Sequence, residues 1–165
     1  MSLPVLIVDG YNIIGAWDDL KALRDRDMGS ARDQLISILS AYTCWGWERI
    51  IVVFDGREFA WEYFDGVEVV FTGAKETADT MIERLAAGLT HCGRVEVATS
   101  DSAEYIAASG YGATVMSARA LREQLDQRSE DYRSRLARKR EGRGLMLNDL
   151  LNKTVLESLE KLRRS

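Results

Sequence analysis

Short aliphatic runs recur along the chain, separated by stretches in which apolar positions return every three or four residues. The run Val5-Leu6-Ile7-Val8 predicts a first strand. A helix is expected over about 30–44, with Ala31, Leu35, Ile38 and Leu39 on one face. Ile50-Ile51-Val52-Val53-Phe54 is apolar at every position, which suits a strand buried on both faces of a parallel sheet. A third strand is expected over about 67–71. The stretch 56–66 before it reads equally well as a hairpin or as a short irregular crossover.

Further on, Ile82, Leu85, Ala86 and Leu89 mark a helix over about 74–90, and a fourth strand is expected over 95–98. A short helix over 102–109 ends at Gly110, a residue suited to closing a helix, before a fifth strand over 113–116. A longer helix then runs over about 118–141 with Leu121, Leu125, Tyr132 and Leu136 as its stripe. Gly142 and Gly144 are expected to break it. A last helix begins near Asn148 or Asn152 and buries Val155, Leu159 and Leu162. Strands alternating with helices predict an α/β fold, three-layered and Rossmann-like, with a mainly parallel central sheet of about five strands. The expected division is a core over 1–118 and a basic helical extension over 119–165 packed on it.

Charge sharpens that division. Residues 1–118 carry 9 Lys and Arg against 18 Asp and Glu, a balance of -9; residues 119–165 carry 13 against 8, or +5, giving the overall -4. An acidic body beside a basic segment suits a site that binds cations next to a surface that holds a polyanion. At 165 residues and 46% apolar content the chain can bury a real core. Two cysteines, Cys44 and Cys92, are too few for a disulfide scaffold and are expected as small buried hydrophobes in a reducing compartment. No apolar run reads as a signal peptide or a membrane span, so a cytoplasmic protein without membrane attachment is expected.

The candidate chemistry lies at the ends of the strands. In an open parallel sheet, ligands bind beyond the carboxyl ends of the strands, where the chain connections diverge. Asp9 follows the first strand, Asp55 the second and Asp101 the fourth. Glu76, Asp79 and Glu83 are spaced to share a face near the start of the helix after the third strand. Carboxylates gathered this closely raise one another's pKa and destabilise the fold unless a cation neutralises them. All-oxygen ligands favour Mg²⁺ or Mn²⁺ over zinc, and such ions support hydrolysis of phosphodiesters. Asn12 offers a neutral oxygen beside the site.

Each acid alone has an ordinary structural reading as a turn residue or helix cap. Asp55-Gly56 is a standard turn pair, and Asp101 before Ser102 and Glu104 is cap-like. Convergence of several at one sheet edge is what favours chemistry. Cys44, His91 and Cys92 lack zinc spacing, and no nucleophile elbow, Walker loop or Rossmann glycine pattern is present, so no nucleotide cofactor is expected.

The run Val8-Asp9-Gly10-Tyr11-Asn12-Ile13-Ile14-Gly15, then Phe54-Asp55-Gly56, Glu76-Thr77-Ala78-Asp79 with Glu83, Ala98-Thr99-Ser100-Asp101 with Glu104, Arg143-Gly144-Leu145 and the closing Leu159 to Arg164 resemble, in order, the YacP-like branch of the NYN domains, which are PIN-like ribonucleases. The resemblance implies a PIN-like fold, Mg²⁺ or Mn²⁺ dependence and endonucleolytic cleavage of single-stranded RNA. It puts Asp9, Asp79 and Asp101 in the metal-binding core with Asn12 and Asp55 close by, and Glu76 or Glu104 as outer members. Some relatives act on messenger RNA at the ribosome, which adds a ribosomal partner to the expectations. The sequence departs from the pattern at Tyr105, where a glutamine is expected, which bears on the contacts of Glu104.

For holding RNA, the first candidates are Arg133, Arg135, Arg138, Lys139, Arg140 and Arg143. Asp126, Glu130 and Asp131 are interleaved with them, so a salt-bridged helix is the competing reading. Phe59, Trp61, Tyr63 and Phe64 could stack on bases if exposed, but they are expected mostly as core, as are Trp17, Trp45 and Trp47. Two other function classes compete: a non-catalytic RNA-binding or ribosome-associated module of the same fold, and phosphoryl transfer on an aspartate. The last wants a second aspartate two residues after Asp9, where Tyr11 stands, or a lysine after the last strand, where Ser117 stands.

Overall fold

The computed structural model describes residues 3–43 and 45–164; Cys44 lies outside them, as do the side chains of Glu104, Leu145, Asn148, Leu151 and Asn152. The elements run β1 (Val5–Asp9), α1 (Gly10–Ala16), α2 (Asp18–Arg26), α3 (Met28–Ser40), β2 (Arg49–Phe54), β3 (Ala60–Phe64), β4 (Val67–Phe71), α4 (Ala78–Leu89), β5 (Val95–Ala98), α5 (Ser102–Gly110), β6 (Thr114–Met116) and α6 (Ala118–Arg164). The chain groups into two units, one reaching to Leu125 and one from Asp126 onward.

In the first unit a six-stranded sheet has the order β3-β4-β2-β1-β5-β6. All neighbours are parallel except β3 and β4, which form an antiparallel hairpin. The central strands bury both faces, as their unbroken aliphatic sequence requires. Leu6, Val8, Ile50, Val52 and Phe54 pack beneath α1–α3 and the start of α6, while Ile7, Ile51, Val53 and Val97 pack against α4 and α5. This is the three-layer α/β arrangement expected, with one strand more. Two short helices, α1 and α2, fill the stretch after β1 that the apolar pattern left without elements. Asp27 caps α3 by accepting from the Gly29 and Ser30 backbone N–H groups and the Ser30 hydroxyl.

The hairpin resolves the stretch 56–66. Asp65 and Gly66 take φ of 49° and 83°, the two positive values that a tight two-residue hairpin turn demands. Because β3 is an edge strand, its rings are not core. Phe59, Trp61, Tyr63 and Phe64 are 58%, 40%, 70% and 47% exposed, which corrects that expectation. Trp17 and Trp47 are buried as expected, and Trp45 is half-buried. Cys92 is exposed rather than buried, since it falls in the turn between α4 and β5.

The helix α6 also departs from the sequence pattern, because it continues through Gly142 and Gly144. Each glycine costs about 1 kcal/mol relative to alanine, and the surrounding Arg140, Glu141, Arg143, Met146 and Leu147 are strong helix formers with no proline among them. Tyr132, Leu136, Val155, Leu159 and Leu162, expected in apolar stripes, are exposed. A single helix supplies no second layer to cover them. Among the described residues no helix is long and apolar enough to cross a membrane.

Candidate active site

The chain reverses its direction of travel across the sheet between β1 and β5. After β1 it leaves toward the layer of α1, whereas after β5 it leaves toward the layer of α5. That divergence opens a crevice at the carboxyl ends of these two strands. Asp9 closes β1 there and is buried, at 8% exposure. It occupies the residue before α1 yet makes no side-chain cap, so its carboxylate is turned to other use.

Thr99, fully buried at the end of β5, joins the two strands' acids. Its hydroxyl lies 3.5 Å from Asp9 Oδ2 and accepts from the Asp101 N–H at 3.1 Å. Asn12, on the first turns of α1, accepts from the Ser100 N–H at 2.8 Å and so ties α1 to the loop after β5. Gly10 is required by close approach: a Cβ there would come within 2.2 Å of the Phe54 ring. The structure therefore ties Asp9 and Asn12 to the backbone of the loop that carries Asp101. Thr99 and Ser100 were missed, although a hydroxyl pair between a strand and an acidic cap is itself a signal of a built loop.

The other candidates hold more structural posts. Asp55 Oδ1 accepts from the Ala78 N–H at 2.7 Å and thus caps α4 from across the edge. Asp101 caps α5 through Ala103 N–H at 2.9 Å. Asp79 is exposed in the first turn of α4, behind the Thr77 cap. Since α4 starts at Ala78, Glu76 precedes the helix and does not share a helical face with Asp79 and Glu83; it pairs instead with Arg84 at 2.9 Å. The side chain of Glu104 lies outside the described residues. On the opposite flank Arg32 donates to the Tyr11 hydroxyl at 3.1 Å and lies 5.9 Å from the centre of the Phe71 ring. A cleft of about 360 Å³ beside Thr99 and Asp101 is walled by Tyr105 and Ile106, both exposed.

Residues 6–164 match the model of the YacP-like NYN domain. The chain belongs to the YacP-like NYN family. Uncharacterized protein YacP of Bacillus subtilis (strain 168) is 39% identical over 170 residues, covering 98% of each chain. The crystal structure of Rae1 (YacP) from Bacillus subtilis matches with a TM-score of 0.70 at 38% identity, over 99% of this chain and 96% of that one. A mutant of the same protein matches with a TM-score of 0.71 at 40% identity, over 81% of each. NYN domains are a PIN-like nuclease family, which supports a nuclease activity in general for this member.

NYN and other PIN-like nucleases generally use divalent metals, and the donors at this NYN edge fit a hard cation in kind. The near side offers carboxylates, an amide and hydroxyls, with no thiol or imidazole. Among the described residues no three acidic, histidine or cysteine side chains stand close enough to hold a metal ion jointly. An ion held by one or two carboxylates and water suits that spacing, and this is the usual habit of Mg²⁺.

Proposed function

We propose that this chain is a metal-dependent endoribonuclease that hydrolyses phosphodiester bonds in single-stranded RNA. The observation that carries the reading is the link Asp9–Thr99–Asp101 with Asn12–Ser100 at the β1/β5 crevice, in a chain of a nuclease family. In this reading Asp9 and Asp101 hold Mg²⁺ or Mn²⁺, and Asp79 approaches from the first turn of α4. When bound, the ion supplies a nucleophilic water near neutral pH and screens the charge that develops on phosphate.

The chain's own groups do the positioning. Burial of Asp9 keeps bulk water from one side of the site, which strengthens its field toward a cation. Asn12 fixes the Ser100 backbone without adding charge, so a polyanion approaching the crevice meets no further repulsion there. In the reaction a water oxygen bonds to phosphorus and gives up a proton to solvent, the P–O bond to the ester oxygen on the far side breaks, and that oxygen takes up a proton from solvent. No side chain is assigned as base. The finer reading, cytoplasmic messenger RNA cut at the ribosome, rests on the family, and the basic residues Arg133, Arg135, Arg138, Lys139, Arg140 and Arg143 are proposed as phosphate contacts.

The test is cleavage of an end-labelled, unstructured RNA with Mn²⁺, Mg²⁺ or EDTA. Wild type should cut only with a cation. Asp9→Asn and Asp79→Asn should each lose about a hundredfold or more while melting as wild type does, the scale expected when a group acting directly on the reacting charge is removed. A wild type that binds RNA and melts higher with Mn²⁺ but never cuts would make this a binding module instead.

A further inference from the structure

Bordering Ser100, a cleft of about 600 Å³ opens between the α1–α2 junction and the start of α6. Its lining includes Trp17, Asp18, Asp19, Ser100, Arg119 and Arg122. None of the acidic edge's chemistry uses it. The floor is rigid: the Trp17 indole N–H donates to the Ala118 carbonyl at 2.8 Å, and the Arg122 guanidinium lies over the Trp17 ring, 4.6 Å from its centre. Asp19 holds Arg122 at 3.0 Å. Arg122 Nη1 is nevertheless buried without a hydrogen-bond partner among the described residues.

Two groups in the lining are uncommitted. Asp18 makes no hydrogen bond or ion pair among the described residues. Among the described residues Arg119 is tied only to Glu123, in a pair whose side chains are 89% and 67% exposed, and such a pair contributes too little to hold it. The cleft thus offers one free carboxylate and one releasable guanidinium above an apolar floor of Trp17 and Ala118. Guanine is the base that matches this set, since its N1–H and N2–H₂ face one carboxylate while its O6 and N7 face one guanidinium. Adenine, cytosine and uracil each present a donor or acceptor of the wrong sense to at least one of the two.

We propose that this cleft is a base-recognition subsite for one unpaired guanine of the RNA strand, with Asp18 and Arg119 reading its two edges and Trp17–Arg122 as its floor. The inference rests on the ribonuclease reading for the origin of the guanine, since Ser100 is shared between the cleft and the loop that carries Asp101. Cleavage would then prefer a fixed distance from a guanine.

Binding of free nucleotides tests this without requiring turnover. The Trp17 indole N–H resonance, assigned with Trp17→Phe, is followed by NMR during titration with 5′-GMP, AMP, CMP and UMP in turn. GMP should move it saturably, about fivefold or more tighter than the other three, the low end for a well-formed bidentate base contact. Asp18→Asn should erase the preference, and Arg119→Ala should weaken GMP, with melting temperatures unchanged. Equal shifts from all four nucleotides, or none, would overturn the subsite. If GMP is preferred while no RNA is ever cut, the subsite stands and the nuclease reading falls; cutting without any GMP preference leaves the nuclease and removes the subsite.

Discussion

Glu68 is a carboxylate at the second position of β4 with only 3% of its surface exposed. Burial pushes its pKa up, but the hydrogen bonds and charge of Arg49, with further bonds from Tyr63 and Trp61, outweigh burial and hold it below its ordinary value of 4.5. Both Arg49 contacts are 2.8 Å, the forked geometry that distinguishes a strong pair. A depressed pKa in the folded state contributes stability above the unfolded value, and that stability is lost as pH falls through the folded value. Glu68→Gln should therefore cost about 1–3 kcal/mol near neutral pH. The gap in melting temperature between wild type and variant should narrow below about pH 4.5; a gap that stays constant to pH 3 would mean that charge is not its source. At this scale the sequence disclosed which acids end strands, because that depends on local pattern. It did not disclose that Asp55 caps a helix 23 residues away or that Thr99 joins Asp9 to Asp101, because those partners are chosen by the folded sheet.

At the scale of elements, β1 and β2 were legible because buried parallel strands read as unbroken apolar runs, and β4, β5 and β6 because short valine-rich runs stand between helical patterns. The strand β3 was not, since an exposed edge strand needs no such run and its aromatics mimic core. The decisive signal was the Asp65-Gly66 pair. Gly66 has φ of 83°, and a Cβ there would stand 3.1 Å from Thr43 Oγ1. Gly66→Ala should destabilise the hairpin by about 1–2 kcal/mol, whereas Asp65→Asn, which tolerates positive φ, should be close to neutral. Thermal melting of both compares them directly; equal effects would count against a turn that depends on Gly66. The unbroken α6 was illegible for the opposite reason: glycine is a reliable stop only where its neighbours are indifferent to helix.

For the molecule as a whole, the charge is -9 before residue 119 and +5 from there on, and the proposed function assigns the cation to the first part and RNA phosphates to the second. Arg138, Lys139 and Arg140 fall within the second unit, on one turn of α6. Replacing all three by alanine should weaken RNA binding and reduce the slope of log affinity against log salt by about 2, as each lost phosphate contact removes somewhat less than one released counterion. An unchanged slope in a salt titration would take this turn out of the RNA path.

The place of β1 in the sheet bears on how the protein comes into being. Val5–Asp9 takes β2 on one side and β5 on the other, and β5 lies about 90 residues downstream. Pairing over such separations is slow, because the loop must close before the contact rewards it. A chain still emerging from synthesis with its first 71 residues made can join β1 to β2 and β2 to β4, and it carries Asp9 and Asn12, but neither Thr99 nor Ser100 exists to complete the crevice. The acidic edge is thus assembled only after the α4 crossover has been made, so a nascent or truncated chain has the fold's first half without the Thr99 and Ser100 contacts that tie the β1/β5 edge together.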